Sequence, residues 1–307
     1  MKLHDTQITN YLTFCKSQKC LDVKTIRAYK IDLTHFASTM PAETSLYDIA
    51  SRQIESYIAH LHSIYKPKTA KRKIASLKAF FHYCEFYEFI ERNPFDKIQI
   101  RFREPVILPK TIPLQTLELF LSTIYNQRQL ATTSYQQKNA LRDAAVIELL
   151  FATGIRISEL CSLKSCDVNL NDNFVLIYGK GSKERKLQIG NDNVLKTLNE
   201  YKNTFSKEIE NCGHFFANQS GKPLSDQSVR RMIQNYASLA GIDQHITPHM
   251  FRHTFASSLL DADVDIRYIQ EMLGHSSITT TQIYTHVTLA KQKMILTTKH
   301  PRNGFCI

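Results

Sequence analysis

The sequence predicts a mainly α-helical protein of two domains that carries one small β-hairpin. Three observations support this fold class. Apolar residues recur at helical spacing through the first hundred residues. Four prolines then interrupt residues 92–113, which excludes a continuous helix there. Beyond them, one pair of short strand-like segments flanks a glycine-containing turn within residues 174–189. A chain of 307 residues also has the length of about two ordinary domains.

The first domain, residues 1–103, is predicted to be entirely helical. Asp22 is a suitable N-cap for a helix over residues 23–40, in which apolar side chains follow at spacings of three and four. The same spacing recurs over residues 51–65 and again over residues 66–90. The last of these helices has a concentration of basic side chains close to its start, and these are Lys71, Arg72, Lys73 and Lys78.

The balance of charge points to a polyanionic partner. The chain carries a formal net charge of +11, and its first 103 residues hold 17 of the 39 basic side chains but only 10 of the 28 acidic ones. Net charge by itself indicates only that a polyanion would be attracted. An ordinary basic protein without such a partner would be equally consistent with it. The density of basic side chains at the start of the third helix exceeds what solubility needs. It favours a helix that contacts DNA phosphates over one whose basic face is merely solvated.

Residues 104–113 are predicted to form an extended linker between the two domains. They belong to the proline-interrupted stretch, whose stiffness and positive charge suit a segment that follows a DNA backbone while it joins two halves of a clamp. Two arginines come shortly before the linker, Arg101 and Arg103, and we predict that both contact DNA.

The second domain, residues 114–307, is predicted to be mostly helical. We expect Gly154 to stop an apolar helix, and Ser225 and Thr247 each to cap the start of one. A polar stretch at residues 126–139 is open to three interpretations, namely a mobile loop, a partner contact or sequence drift. The predicted elements are helices over residues 141–153, 192–207, 225–240, 248–260 and 266–273 and hairpin strands at residues 174–178 and 185–189.

Composition excludes several classes of protein. No run of 18 apolar residues is present, and the N-terminus lacks the apolar core of a secretion signal. We therefore expect a cytoplasmic protein with no membrane partner. The seven cysteines are odd in number and include no CxxC pair, so free thiols are expected, and a structural zinc site is a minor alternative.

Four segments supply the residue types that metal-free DNA cleavage requires. Such cleavage needs guanidinium groups for the nonbridging phosphate oxygens, an in-line nucleophile and an acid for the leaving 5′-oxygen. The segments are TGIRISEL with Arg156 and Glu159, GKGSKER with Lys180, HMFRHTF with His249 and Arg252, and LGHSSITTTQIYTH with His275 and Tyr284. Each has an ordinary structural explanation when taken alone. Zinc binding by His249 and His253 is disfavoured, because Met250 stands where the HExxH motif has its glutamate.

Taken together, in this order and with these flanking residues, the four segments resemble the tyrosine recombinase (phage integrase) family. The resemblance covers roughly residues 139–290, and the basic helical first domain resembles the core-binding domain of the same family. The tail HPR at residues 300–302 resembles the Xer branch. The resemblance implies a two-domain DNA clamp, in which a helical core-binding domain precedes a tyrosine-recombinase catalytic domain. It also implies an enzyme that needs no metal and no other cofactor.

The resemblance further implies how the scissile phosphate would be held. Arg156 and Arg252 would grip it. His275 would donate a hydrogen bond to a nonbridging oxygen. Glu159 would be a supporting acid that fixes the geometry of the site.

The same resemblance assigns the covalent and proton-transfer steps. Tyr284 would form a 3′-phosphotyrosyl intermediate, and His249 would assist proton transfer to or from it. Lys180 would protonate the leaving 5′-oxygen, although Lys183 lies close enough in the hairpin to be an alternative. Three threonines at residues 279–281 are poor helix formers, so we predict a marginally stable helix that moves the nucleophile in and out of the site.

The expected partners are double-stranded DNA recombination sites and further copies of the chain. The family pattern implies a homotetramer on DNA that works through a Holliday junction, with a paralogous recombinase as a possible second subunit. Residues 288–298 resemble the helix that docks on a neighbouring subunit, or they form an ordinary closing helix. A type IB topoisomerase and a non-catalytic DNA-binding regulator are the alternative functions. The sequence leaves open both the target site and the choice between chromosome-dimer resolution and a mobile-element role.

Overall fold

The structure is a computed structural model that describes residues 3–41, 44–100, 109–179 and 184–274. The chain divides into two units, Met1–Val106 and Ile107–Ile307. Each unit has its own hydrophobic core.

Within its described residues, the first unit consists of four α-helices and one 3₁₀ turn. Asp22 caps the second helix as predicted, since its Oδ1 accepts a hydrogen bond of 2.7 Å from the backbone N–H of Lys24. The second helix packs against the first and the fourth, around the fully buried side chains of Leu33, Leu77 and Phe81. The helices are α1 (Leu3–Ser17), α2 (Val23–Thr39), α3 (Ser51–Ile64) and α4 (Pro67–Phe86), and the 3₁₀ turn is Leu46–Asp48.

The second unit contains a small antiparallel sheet within a helical framework. Its described helices are α5 (Leu114–Leu130), α6 (Ser134–Thr153), α7 (Ile157–Ser162), α8 (Asp192–Thr204), α9 (Ser206–Cys212), α10 (Asp226–Leu239), α11 (Pro248–Asp261) and α12 (Ile266–Leu273). The strands are β1 (Val168–Asn169), β2 (Phe174–Tyr178) and β3 (Glu184–Gln188), in the order β1-β2-β3.

The predicted hairpin is confirmed as β2 and β3. Val175 pairs with Leu187, and Ile177 pairs with Arg185. Val175, Ile177 and Leu187 are buried, so one face of the hairpin closes the core, as the two-residue periodicity of strands requires. The second strand begins one residue earlier than predicted. The intervening residues 180–183 lie outside the described residues.

The polar stretch at residues 126–139 is helical over most of its length, so its interpretation as a mobile loop is wrong. It comprises the last turn of α5, a short connection and the first turns of α6. Thr133 caps α6 reciprocally with Gln136: the Thr133 Oγ1 accepts from the Gln136 N–H, and the Gln136 Oε1 accepts from the Thr133 N–H. The polarity belongs to helix ends, where Arg128 pairs with Glu200.

Helix α6 forms the centre of the second unit and sets the position of the functional loop that follows. Its residues from Ala144 to Leu150 are almost all fully buried, and it packs against α5, α8 and α11. It ends at Gly154 as predicted, with a left-handed φ of 60°. A Cβ at this glycine would lie 2.5 Å from the Phe255 ring on α11, so only glycine fits the close approach.

None of the described helices is both long enough and apolar enough to cross a lipid bilayer.

Candidate active site and DNA-contacting helix

Arg156 and Glu159 occupy the first turn of α7, immediately after the Gly154 break. Arg156 is the N-cap residue, and its backbone N–H donates to Glu159 Oε2 at 2.8 Å. Its Nη1 donates to the other carboxylate oxygen, Oε1, also at 2.8 Å. The Glu159 side chain is 6% exposed, whereas that of Arg156 is 35% exposed. The carboxylate therefore anchors a guanidinium group that still reaches solvent.

Arg252 lies on α11 and is almost completely buried, with 3% exposure. Its Nη1 donates to the carbonyl oxygen of Gly154 at 2.8 Å, and its Nη2 donates to the carbonyl oxygen of Leu273 at 2.6 Å. The first bond ties it to the loop that carries Arg156, and the second ties it to the last turn of α12. The structure thus brings the two predicted phosphate-binding arginines together at the short loop that follows α6.

His249 stands next to the N-terminus of α11, one residue after Pro248. His249 keeps an exposed surface, but partial desolvation of its imidazole by the surrounding protein lowers its pKa below the usual value, and the positive charges of Arg230, Arg252 and Arg156 lower it further. The neutral imidazole is therefore the dominant form at pH 7, and it can accept a proton. Arg156 and Arg252 both contribute to the lowered pKa of His249. These three predicted site residues therefore lie within electrostatic range of one another.

Sequence reasoning missed two arginines at this site. Arg230, on α10, is the largest charge contribution to the lowered pKa of His249. Arg185, on β3, makes a two-point ion pair with Glu159. The only local signal for Arg185 was its place in the GKGSKER segment, and nothing near Arg230 in the sequence marked it.

His253, one turn after His249, is partly buried. Burial lowers the pKa of its imidazole to about 4, and the neighbouring His249 and Arg252 contribute in the same direction. Across the described parts of the chain, no three His, Cys, Asp or Glu side chains come together in a group that would hold a metal ion.

Several predicted site residues lie outside the described residues. They are Lys180, Lys183, His275, Tyr284, Arg101 and Arg103, together with the threonines at 279–281 and the segment 288–298. The last described residue before His275 is Gly274, which ends α12 with a left-handed φ of 64°. Gly274 is therefore the last residue that the structure describes before the segment with the predicted nucleophile.

In the first unit, α4 presents the basic side chains that were predicted to contact DNA. Lys71, Arg72 and Lys78 are exposed. Lys73 differs, because it is 5% exposed and its Nζ lies 3.3 Å from Asp32 Oδ1. The structure therefore does not place Lys73 with the three exposed cations at the surface of α4. Its ammonium group also sits over the Tyr65 ring, 5.0 Å from the centroid.

Asp32 on α2 holds this basic helix in place. Its carboxylate is 1% exposed and accepts from Arg72 Nη1, from Lys73 Nζ and, at 2.8 Å, from Ser76 Oγ. All three donors lie on α4, within two turns of one another. A single buried carboxylate thus neutralises the buried lysine and orients the half-exposed Arg72 at the surface.

Replacement of Asp32 by Asn is expected to destabilise the first unit by about 3–5 kcal/mol, because Lys73 would remain buried without a counter-charge. Equilibrium unfolding in urea would measure the loss as a lower midpoint. The control is Asp48→Asn, since Asp48 is exposed and its replacement should cost less than about 0.5 kcal/mol. If the two variants were equally stable, Lys73 would not depend on Asp32.

Comparison with known proteins gives a consistent picture for both units. The phage integrase family matches residues 124–291, and the phage integrase N-terminal SAM-like domain matches residues 8–85. A protein named tyrosine recombinase from Agathobacter rectalis is 67% identical over 303 residues, which cover 98% of each chain. Tyrosine recombinase XerD from Listeria innocua is 35% identical over 302 residues, covering 96% of this chain and 98% of the relative.

Solved structures share the fold. The XerH site-specific recombinase bound to a palindromic difH substrate, in a post-cleavage complex, matches with a TM-score of 0.73 and 24% identity, over 93% of this chain and 83% of that one. A lambda integrase tetramer bound to a Holliday junction matches with a TM-score of 0.67 and 18% identity, over 90% of this chain and 78% of that one.

Proposed function

Because the chain belongs to the phage integrase family of tyrosine recombinases, we propose that it cuts and rejoins two DNA sites through a phosphotyrosyl link at Tyr284. It is a site-specific DNA recombinase, and the proposal concerns which of its residues do the chemistry and in what assembly. The observation that carries it is that Arg156 and Arg252 meet at the loop after α6, and that both lie close enough to His249 for their charges to lower its pKa.

Arg156 and Arg252 act as the phosphate clamp. As the tyrosine oxygen attacks, negative charge builds up on the nonbridging oxygens of a five-coordinate phosphorus. Two guanidinium groups fixed beforehand stabilise this charge without having to reorganise. Glu159 and the carbonyl oxygens of Gly154 and Leu273 provide that fixation. His275 follows Gly274 directly and adds a donor to the same phosphate.

The covalent step exchanges one phosphodiester for another. The Tyr284 Oη attacks phosphorus while neutral His249 takes its proton, the bond to the 5′-oxygen breaks, and Lys180 or Lys183 supplies the proton to that oxygen. In the reverse direction a 5′-hydroxyl of the partner strand attacks the phosphotyrosine and releases Tyr284. The bond broken and the bond formed are of similar energy, so rejoining needs no nucleotide hydrolysis.

The proposed assembly is a tetramer that holds two double-stranded sites and passes through a Holliday junction. Support comes from the relatives, since a lambda integrase tetramer bound to such a junction has the same fold. The subunits are copies of this chain, with a paralogous recombinase as the second possible subunit. The segment 288–298 is the proposed contact between neighbours. Because the substrate is genomic DNA, we place the enzyme in the cytoplasm.

The test is a recombination assay on plasmids that carry two copies of a candidate site. Recombinant products that require both sites support the proposal, whereas relaxation of supercoiled plasmid without regard to sequence would favour a type IB topoisomerase. DNA binding without either reaction would favour a non-catalytic regulator. Products from chromosomal sites indicate dimer resolution, and products from the ends of a mobile element indicate integration and excision.

The pH dependence of cleavage should report His249. Because the pKa of this group is lowered below 6.5, the cleavage rate should be level at pH 7 and should fall only when the pH drops through that lowered pKa and the imidazole becomes protonated. In His249→Gln the rate should drop by about 10²- to 10⁴-fold and the acid limb should disappear. His245→Gln changes an exposed histidine nearby in the sequence. This control should keep the cleavage rate and the acid limb of its pH profile. An unchanged limb in His249→Gln would assign it to another group.

DNA binding should depend steeply on salt, and α4 should account for part of that dependence. Each phosphate contact contributes about 0.9 to the slope of log K against log salt concentration. Lys78→Ala should therefore flatten the slope by about 1 and weaken binding to all sequences alike. Lys202→Ala removes an equally exposed lysine from α8 and should leave the slope unchanged. A flat response of the unmodified protein would contradict a phosphate-contacting α4.

A further inference from the structure

Arg185 joins three parts of the second unit that are far apart in the sequence. It lies on β3 opposite Ile177, on the inward face that it shares with Leu187. Its side chain is 10% exposed. The guanidinium group donates to Glu159 in α7 and to the carbonyl oxygen of Met272 in α12.

The bond to Glu159 determines how Arg156 is presented. Arg185 Nη1 donates to Oε1 at 3.2 Å and its Nη2 donates to Oε2 at 2.7 Å, while Arg156 contacts the same two oxygens. One carboxylate therefore faces two guanidinium groups, so one positive charge is left over for a ligand. Arg185 is the more buried of the two, and Arg156 is consequently the one that faces outward.

The electrostatic consequence appears at the carboxyl group. Burial alone would raise the pKa of Glu159, but the hydrogen bonds from Arg185 and from the Arg156 backbone, together with both positive charges, lower it below the usual value. Glu159 is thus kept ionised, in the form that can accept from both arginines.

The bond to α12 fixes the end of that helix. Arg185 Nε donates to the Met272 carbonyl oxygen at 2.9 Å, and Arg252 Nη2 donates to that of Leu273. Carbonyl groups in the last turn of a helix lack intrahelical partners, and cations at a helix C-terminus are favourable. Gly274 lies against the same guanidinium, since a Cβ there would come within 2.9 Å of Nη1. The next residue in the chain is His275.

We infer that Arg185 is a positioning residue, which holds Arg156 through Glu159 and fixes the last turn of α12 against β3. This inference rests on the proposed function for its catalytic consequence, but the contacts themselves are properties of the DNA-free protein. Lysine cannot replace it. A single ammonium group cannot make a two-point bond to a carboxylate and a third bond to a carbonyl in a fixed plane.

The first test compares Arg185→Lys with the unmodified protein on a suicide substrate, whose cleaved strand cannot be rejoined. The rate of covalent complex formation should fall about 10- to 100-fold, since a displaced catalytic group costs this much. The Kd for uncleaved DNA should change less than about twofold, because the Arg185 side chain is only 10% exposed and its guanidinium group is already bound to Glu159 and to the Met272 carbonyl oxygen. Arg267→Lys is the matched control, since Arg267 lies on α12 with an 84% exposed side chain. A cleavage rate within twofold of the unmodified protein would overturn the inference, as would equal losses in rate and affinity.

A second test separates positioning from general loss of stability. In the Glu159→Gln background, Arg185→Lys should cause little further loss of rate, because the path to Arg156 is already broken. Rate losses that simply multiply in the double variant would show that Arg185 does not act through Glu159.

A third test does not depend on catalysis. In the DNA-free Arg185→Lys protein, amide hydrogen exchange should become faster in peptides covering residues 155–162 and 270–274, and it should be unchanged in α10. Unchanged exchange at both places would overturn the inference. If the unmodified protein formed no covalent complex with any site, the proposed function would fail, and this test would still decide the role of Arg185.

Discussion

Tyr284→Phe is expected to abolish covalent capture of DNA while leaving DNA binding intact. The change removes one oxygen atom, which is the proposed nucleophile, and keeps the ring. Loss of a nucleophile that acts with its neighbours as a unit typically costs on the order of 10⁴-fold or more in rate. The measurement is the amount of protein that stays attached to a suicide substrate after denaturation. Affinity for uncleaved DNA, measured separately, should remain within about twofold.

The matched control for this variant is Tyr268→Phe. Tyr268 lies on α12 and is 65% exposed, so it is an accessible tyrosine in the same unit. Its replacement should leave covalent capture unchanged. If Tyr284→Phe still formed the complex, the attacking oxygen would belong to another residue, and peptide mapping of the adduct would identify it.

The sequence predicted those helix boundaries that are set by contacts between residues close together in the chain. Asp22 and Ser225 cap helices as expected, because a cap is made by a side chain and a backbone N–H two or three residues away. Gly154 ends α6 because the left-handed turn requires glycine at that position. The fold class followed from such signals together with the apolar spacing.

The sequence was insufficient where the environment of a residue depends on a partner that is distant in the sequence. Lys73 was predicted to contact DNA together with its basic neighbours, but it is buried beside Asp32, which lies 41 residues away and provides the counter-charge. The stretch 126–139 was left open because its polarity obscured the helix ends that the Thr133 cap defines. Polar composition therefore did not distinguish a loop from an exposed helix terminus.

The same limit applies to the site. Arg156, His249 and Arg252 were predicted as site residues because they lie in segments that resemble a family pattern. Their geometry was not predictable, because Arg252 reaches back 98 residues to the Gly154 carbonyl. Arg185 was missed for this reason, since its partners lie 26 and 87 residues away and no short segment contains them together.

Arg156→Lys is expected to lower the rate of strand cleavage by about 10²- to 10³-fold, the usual cost of removing one fixed donor from a site of developing negative charge. Lysine keeps the positive charge but has neither the planar fork nor the second nitrogen that would reach the phosphate while the first stays on Glu159. Overall stability should change by less than about 1 kcal/mol, because the side chain is already a third exposed. Single-turnover cleavage and thermal unfolding measure the two quantities.

Arg128→Lys is the control that separates phosphate binding from loss of an ion pair. Arg128 also pairs with a glutamate, Glu200, and its side chain is exposed to a similar degree at 29%. It lies outside the candidate site, so its replacement should leave the cleavage rate unchanged. Equal rate losses in the two variants would mean that cleavage responds to the loss of any such ion pair. If only Arg156→Lys lowers the cleavage rate, and its stability is unchanged, the Arg156 guanidinium is part of the phosphate clamp.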